Sequence, residues 1–146
     1  MVAVKLIPID QFDHIETCLK EMEILELCNS SYIVSYICSY FKQKHLWIVM
    51  EYCGSGSVKN LIRITDQPLE ENIISAIVYS ALHGLNYLHS NKMIHRDIKA
   101  DNILLNDNGN VKLGDFGVSA KLLRTYGSKD TLIGTPYWMS PEILSN

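Results

Sequence analysis

The sequence lacks the features that mark membrane, secreted and nucleic-acid-binding proteins. Its 146 residues contain no run of 18 or more apolar residues, so no segment is predicted to span a membrane. The first five residues, Met-Val-Ala-Val-Lys, have neither the basic start nor the long apolar stretch of a signal peptide. A net charge of −3 argues against a nucleic-acid partner, since such binders usually carry a basic face.

The cysteines are few, and their spacing fits no metal site. None forms a C-x-x-C pair, and no zinc template has their spacing. We predict reduced, mostly buried thiols in a cytoplasmic protein. The four are Cys18, Cys28, Cys38 and Cys53.

With 47% apolar and 20% charged residues the chain is typical of one globular domain. Three β-rich runs predict strands, at residues 2–7, 33–41 and 46–52. Apolar residues at helical spacing predict a helix between the first two runs: Ile15, Leu19, Met22 and Leu25. A small sheet-bearing lobe is therefore predicted for residues 1–52.

Residues 53–146 are predicted to form a larger, mainly helical lobe. Ser57 can cap a short helix through about residue 64. Residues 69–90 have the longest helical pattern, apolar on more than one face, which predicts burial on most sides. Asn108-Gly109 predicts a small hairpin, and the glycines and prolines after residue 115 predict a long loop.

Four short motifs carry the chemistry. Three of the motifs are ordinary by themselves, whereas the eight-residue motif, called the octet below, is specific. All four occur together, in the order and at the spacing of one known set of signatures. In chain order they are Val2-Ala3-Val4-Lys5, His95-Arg96-Asp97-Ile98-Lys99-Ala100-Asp101-Asn102, Asp115-Phe116-Gly117 and Ser140-Pro141-Glu142. They resemble the V-A-I-K, catalytic-loop, D-F-G and A-P-E signatures of protein kinases, with Ser for Ala in the last.

The flanking sequence narrows the resemblance to one branch of the Ser/Thr kinases. Residues 46–58, 115–120 and 134–142 resemble the sterile-20-like kinases, closest to the Hippo/mammalian-sterile-20-like group. The resemblance implies an α+β, protein-kinase-like fold of two lobes. It also implies transfer of the ATP γ-phosphate to Ser/Thr of protein substrates in intracellular signalling.

The resemblance assigns residues to the nucleotide phosphates and to Mg²⁺. Lys5 would hold the α- and β-phosphates, and Glu21 would pair with Lys5. Asn102 and Asp115 would bind Mg²⁺. A solvated role for Glu21 is the alternative, because three further carboxylates lie on the same predicted helix: Glu16, Glu23 and Glu26.

A second group of residues is assigned to the acceptor and to adenine. Asp97 would be the catalytic base, Lys99 would neutralise charge on the γ-phosphate, and Thr135 would help to seat a Ser/Thr substrate. Lys99 and the segment 134–138 favour the Ser/Thr class. Five residues would surround adenine: Ala3, Met50, Glu51, Cys53 and Leu104.

Thr131 stands where the family carries an activating phosphothreonine. A phosphate there would add about −1.5 to −2 charge and order the loop against Arg96, with Lys121 or Arg124 as helpers. An activating kinase or trans-autophosphorylation would supply the phosphate. An exposed, unmodified hydroxyl is the alternative, and loss of Thr131 is predicted to lower activation.

The resemblance covers only the middle of the family's domain, which runs to roughly 250–300 residues. It predicts a fold truncated at both ends, with a small lobe lacking its first two strands and a large lobe lacking its C-terminal helices. An open sheet edge and exposed apolar side chains on residues 69–90 would follow. This chain alone is predicted to fold poorly and to transfer phosphate weakly or not at all.

Competing functions remain open at this point. The chain could be an inactive truncated product, or a pseudokinase-like module that binds ATP or a partner without turnover. A small-molecule phosphotransferase of related fold is a further alternative, although residues 134–142 favour a protein substrate.

Overall fold

The computed structural model describes residues 1–8, 22–23, 25–115, 120–121 and 135–144. Its strands are β1 (Val2–Pro8), β2 (Tyr36–Lys42), β3 (His45–Glu51), β4 (Gly56–Ser57), β5 (Met93–Ile94), β6 (Ile103–Leu105), β7 (Val111–Leu113) and β8 (Ala120–Lys121). Its helices are α1 (Val58–Thr65), α2 (Glu71–Ser90) and α3 (Pro141–Leu144), with 3₁₀ turns at Ala100–Asn102 and Pro136–Trp138. Residues 22–23 and 25–27 are also helical.

The first sheet is antiparallel, in the order β1-β3-β2. Its hairpin turn is Gln43-Lys44, with φ values of 52° and 59°. Positive φ at both central residues matches the strand twist, so the turn forms without Asn-Gly. Strand β2 begins at Tyr36 and not at the predicted residue 33, because Ile33 forms a parallel bridge with Leu113 instead.

Helix α1 begins where its cap was predicted. The Ser57 hydroxyl accepts a hydrogen bond from the Asn60 backbone N–H at 3.2 Å, which satisfies one free donor of the first turn. The helix ends at Thr65, and the C-cap residue Asp66 has a left-handed φ of 49°. The predicted end at about residue 64 is one residue short.

Helix α2 buries only one of its apolar faces. Its buried residues are Ile77, Ala81, Gly84 and Leu88. Burial on most sides was therefore wrong, whereas the expected exposure of apolar side chains was right. Four other apolar side chains of the helix are 41–58% exposed: Ile73, Ile74, Val78 and Leu82.

The core lies where α2, β7 and the segment 32–34 meet. Leu113 is fully buried, and its backbone pairs with Tyr32 O at 2.8 Å and with Val34 N at 2.9 Å. Gly84 lets α2 approach this layer, since a Cβ there would lie 2.8 Å from Leu113 Cδ1 and 3.0 Å from Tyr32 O. The backbone leading to Asp115 is therefore held on two sides.

Strands β6 and β7 form the predicted hairpin, with Gly109 at a φ of 77°.

The described cysteines are all free thiols. Cys38 is exposed, so the prediction of mostly buried thiols was wrong for that residue. Burial raises the pKa of Cys28 to about 11.

No helix among the described residues has the length and apolarity needed to cross a membrane.

Candidate active site

The loop after β5 is anchored by a buried histidine. His95 is nearly inaccessible to solvent, and its Nε2 lies 3.0 Å from the Gly114 carbonyl. The Asp97 backbone N–H donates to His95 Nδ1 at 3.3 Å. Burial lowers the pKa of His95, which fits a neutral ring that donates from Nε2 and accepts at Nδ1. His95 therefore couples Asp97 to the strand that precedes Asp115.

Asp97 is the centre of a hydrogen-bond network. Its Oδ1 accepts from the Thr135 hydroxyl at 2.6 Å, and its Oδ2 accepts from Asn102 Nδ2 at 2.9 Å. Lys99 Nζ lies 2.8 Å from Asp97 Oδ2 and donates to the Thr135 hydroxyl at 2.6 Å. The three residues predicted to act on the acceptor, Asp97, Lys99 and Thr135, are thus in direct contact.

The environment keeps Asp97 ionised. Burial of the carboxylate raises its pKa, but hydrogen bonds from Lys99, Thr135 and Asn102 outweigh burial and lower the pKa overall. The bond to Asp97 raises the pKa of Lys99 in turn, so this amine stays protonated. The arrangement places a fixed negative charge beside a fixed positive charge.

Lys5 and Asp115 face each other across the site. The Lys5 ammonium lies 3.0 Å from Asp115 Oδ1, although β1 belongs to the first sheet and Asp115 follows β7. Asp115 has a left-handed φ of 57°, and strained backbone of this kind is concentrated at functional sites.

Asn102 and Asp115 offer oxygen atoms that suit Mg²⁺. The Asn102 side-chain nitrogen donates to Asp97 O and Oδ2, which leaves Oδ1 as its ligand atom. The Asn102 carbonyl accepts a hydrogen bond from Gly114 N at 2.9 Å. Because Asp115 directly follows Gly114, this bond holds the backbone of Asn102 near that of Asp115. One amide and one carboxylate suit Mg²⁺, which usually takes few protein ligands and keeps water or phosphate as the rest. Among the described residues, no three His, Cys, Asp or Glu converge as metal ligands.

A cavity of about 400 Å³ opens beside these groups. All five residues predicted to surround adenine line it: Ala3, Met50, Glu51, Cys53 and Leu104. Lys5 and Asp115 lie on its wall as well. The sequence reasoning missed Val34 and Gly114, which also line it. Gly114 stands directly before the D-F-G motif, a signal that could have found it, whereas Val34 is placed by its bond to Leu113.

A second cavity, of about 230 Å³, is lined by Asp97. Thr135 lines it together with Ile98, and so do Trp138, the last residue of the second 3₁₀ turn, and Met139, which follows it. The sequence reasoning did not single out Trp138 or Met139 as contact residues. Asp97 therefore lines the smaller cavity, whereas Lys5 and Asp115 line the larger, apolar one.

Several predicted residues lie outside the described ranges. Glu21, Arg124 and Thr131 are among them, so their assigned roles stay predictions. Lys121 is described only through its backbone pairing with Met93.

Comparison with known proteins gives the family. The sequence profile described as "Protein kinase domain" matches residues 1–146. The chain is 54% identical over 144 residues to "Serine/threonine-protein kinase dst1" of Dictyostelium discoideum, covering 99% of this chain and 19% of that protein. It is 49% identical over 144 residues to "Serine/threonine-protein kinase cst-1" of Caenorhabditis elegans and of Caenorhabditis briggsae, covering 99% of this chain and 29% of each.

The chain thus spans between 19% and 29% of the length of these relatives. The motifs from Lys5 to Glu142 all fall within the matched residues. Family and relatives agree with the α+β architecture and with the predicted Ser/Thr class. The chain belongs to the protein kinase domain family, in its sterile-20-like Ser/Thr branch.

Proposed function

We propose that the protein transfers the γ-phosphate of ATP to Ser or Thr hydroxyls of protein substrates, in cytoplasmic signalling. The observation that carries this proposal is the Asp97 network, in which Lys99, Thr135 and Asn102 hold one ionised carboxylate on the wall of the smaller cavity. Phosphoryl transfer needs positioning and charge stabilisation more than covalent help, and the network provides both.

On the acceptor side, Asp97 orients the substrate hydroxyl and accepts its proton. Its lowered pKa keeps it ionised at neutral pH, which suits orientation of the hydroxyl in a loose transition state. Lys99 donates to the γ-phosphate as negative charge develops there. The Thr135 hydroxyl, which bonds both groups, fixes their separation.

On the nucleotide side, the larger cavity holds the adenine. Ala3 and Leu104 cover the ring faces, Met50 lies at the back, and the backbone at Glu51 and Cys53 bonds the ring edge. Asn102 and Asp115 would hold Mg²⁺, which would offset the negative charge of the phosphates. Lys5 moves its donors from Asp115 to the α- and β-phosphates, and Glu21 is proposed to orient Lys5.

Control by phosphorylation is proposed at Thr131. The donor is an upstream kinase or a second copy of the protein. Arg96 supports this proposal, because it adjoins Asp97 and lines the smaller cavity. A phosphate bound there would connect the loop to the catalytic base.

Direct assay of the chain tests the proposed function. With Mg²⁺ and labelled ATP, label is expected on Ser and Thr of a generic protein substrate and not on Tyr. An amino sugar and choline serve as small-molecule acceptors, and labelling of either in place of protein would contradict the proposal. Mg²⁺-ATP binding without any transfer would instead support an ATP-binding module.

Thr135→Val is expected to lower kcat by about tenfold to a hundredfold, because it removes the hydrogen bonds of the hydroxyl to two charged groups, Asp97 and Lys99. Thr135→Ser keeps the hydroxyl and is the matched control, with kcat within about threefold of the unchanged protein. Steady-state kinetics measure both, and the KM for ATP should not move. An equal loss in Thr135→Ser, which keeps the hydroxyl, would contradict the role given to the hydroxyl bonds.

A further inference from the structure

A buried lysine joins two walls of the larger cavity. Lys112, in the middle of β7, is only 8% exposed. Its Nζ lies 2.9 Å from Glu51 Oε2 and 3.5 Å from the Ile33 carbonyl. Lysine is almost never this buried unless it is paired, because removing the charge from water is costly. No step of the proposed transfer uses Lys112.

Glu51 forms the first wall. It is the last residue of β3 and lines the cavity. Its Oε2 also accepts from the Ser35 backbone N–H at 3.2 Å, and its own N–H donates to Ser35 O at 2.8 Å. Burial raises the pKa of Glu51, but the bonds from Lys112 and Ser35 outweigh burial and lower it. The carboxylate is therefore the ionised partner of the lysine.

The second wall continues from β7. Leu113 follows Lys112, then come Gly114, which lines the cavity, and Asp115, which faces Lys5. The Lys112–Glu51 pair thus connects the backbone proposed to bind adenine with the backbone that carries a proposed Mg²⁺ ligand. These two walls come from different sheets, because β3 belongs to the first sheet and β7 pairs with β6.

We propose that Lys112 is a positioning residue that fixes the spacing of these two walls and thereby sets the affinity for nucleotide. The inference rests on the proposed function for its ligand, Mg²⁺-ATP. Loss of the ammonium leaves the Glu51 carboxylate uncompensated beside the adenine edge, so this wall moves toward water and the preorganised cavity is lost.

The chain offers a matched control. Lys59 on α1 pairs with Asp101 at 2.7 Å, but the side chains are 63% and 35% exposed. Exposed pairs of this kind contribute about 0–1 kcal/mol. Lys59→Met therefore makes the same chemical change as Lys112→Met, away from the larger cavity.

The test compares these variants in the chain itself. Lys112→Met is expected to raise the Kd and KM for Mg²⁺-ATP about tenfold while kcat stays within about threefold. Lys59→Met should leave all three within about twofold. Glu51→Gln should also weaken the binding of Mg²⁺-ATP. The double variant should lose far less binding free energy than the sum of the two single losses, because either change alone already breaks the same ion pair. Unchanged or tighter ATP binding by Lys112→Met would overturn the inference.

Amide hydrogen exchange without nucleotide separates this inference from the proposed function. Lys112→Met should speed exchange at Glu51 and at Gly114 together, and Lys59→Met at neither. If the unchanged chain binds no Mg²⁺-ATP, the proposed function fails, and the exchange data alone decide whether Lys112 holds both walls. Faster exchange at one wall only, or at neither, overturns the positioning role.

Discussion

Asp97→Asn is expected to lower the rate of phosphoryl transfer by about 10²- to 10⁴-fold, the usual contribution of a positioned acid–base group. Asparagine has the same shape but no charge, so it cannot accept the substrate proton. It also removes the ionic partner of Lys99, which lies 2.8 Å away. Single-turnover transfer at saturating Mg²⁺-ATP measures the loss.

The matched control is Asp101→Asn, the same change at the other aspartate of the octet. Asp101 pairs with Lys59 at the surface, at 2.7 Å, and its carboxylate makes no hydrogen bond to Asp97 among the described residues. Its transfer rate should stay within about threefold of the unchanged protein. The Kd for ATP should hardly change in either variant. A comparable loss in both variants would show that net charge of the loop, not the base, is responsible.

Leu113→Ala is expected to lower the free energy of unfolding by about 2–5 kcal/mol, the usual cost of truncating a buried leucine. Leu113 is fully buried, and it fills the space between Gly84 on α2 and the segment 32–34. Urea unfolding followed by circular dichroism measures the change as a lower midpoint at unchanged slope.

The control is Leu82→Ala on α2, where the side chain is 58% exposed. Its free energy of unfolding should change by no more than about 0.5 kcal/mol. Similar midpoints for the two variants would contradict the placement of the core. Absence of any cooperative transition in the unchanged chain would bear out the expectation that this chain folds poorly alone.

Much of the local structure could be predicted because its causes are local. Alternating β-branched residues produce β1, the Ser57 side chain caps α1, and Asn108-Gly109 closes the hairpin. Each signal acts within a few residues, so the sequence displays it directly. The roles of Asp97, Lys99 and Thr135 were assigned by family resemblance and not from periodicity or composition.

The long-range pairings could not be predicted in this way. Ile33 reads as part of a strand, yet it bridges to Leu113, which lies in a different lobe of the predicted arrangement. Lys112 reads as an ordinary polar residue of a short strand, and nothing nearby in the sequence indicates its pairing with Glu51. The one-sided burial of α2 depends on what packs against it, which periodicity does not specify.

The close approach at Gly84 has a consequence for how variants of this protein are interpreted. One added methyl group on α2 would press on Leu113 and on the Tyr32 carbonyl, and the displacement would reach Asp115 two residues later. Such a variant would lose transfer although position 84 touches neither cavity and carries no functional group. Loss of activity on changing this residue would therefore report a steric push from behind the site, not a missing participant in the chemistry.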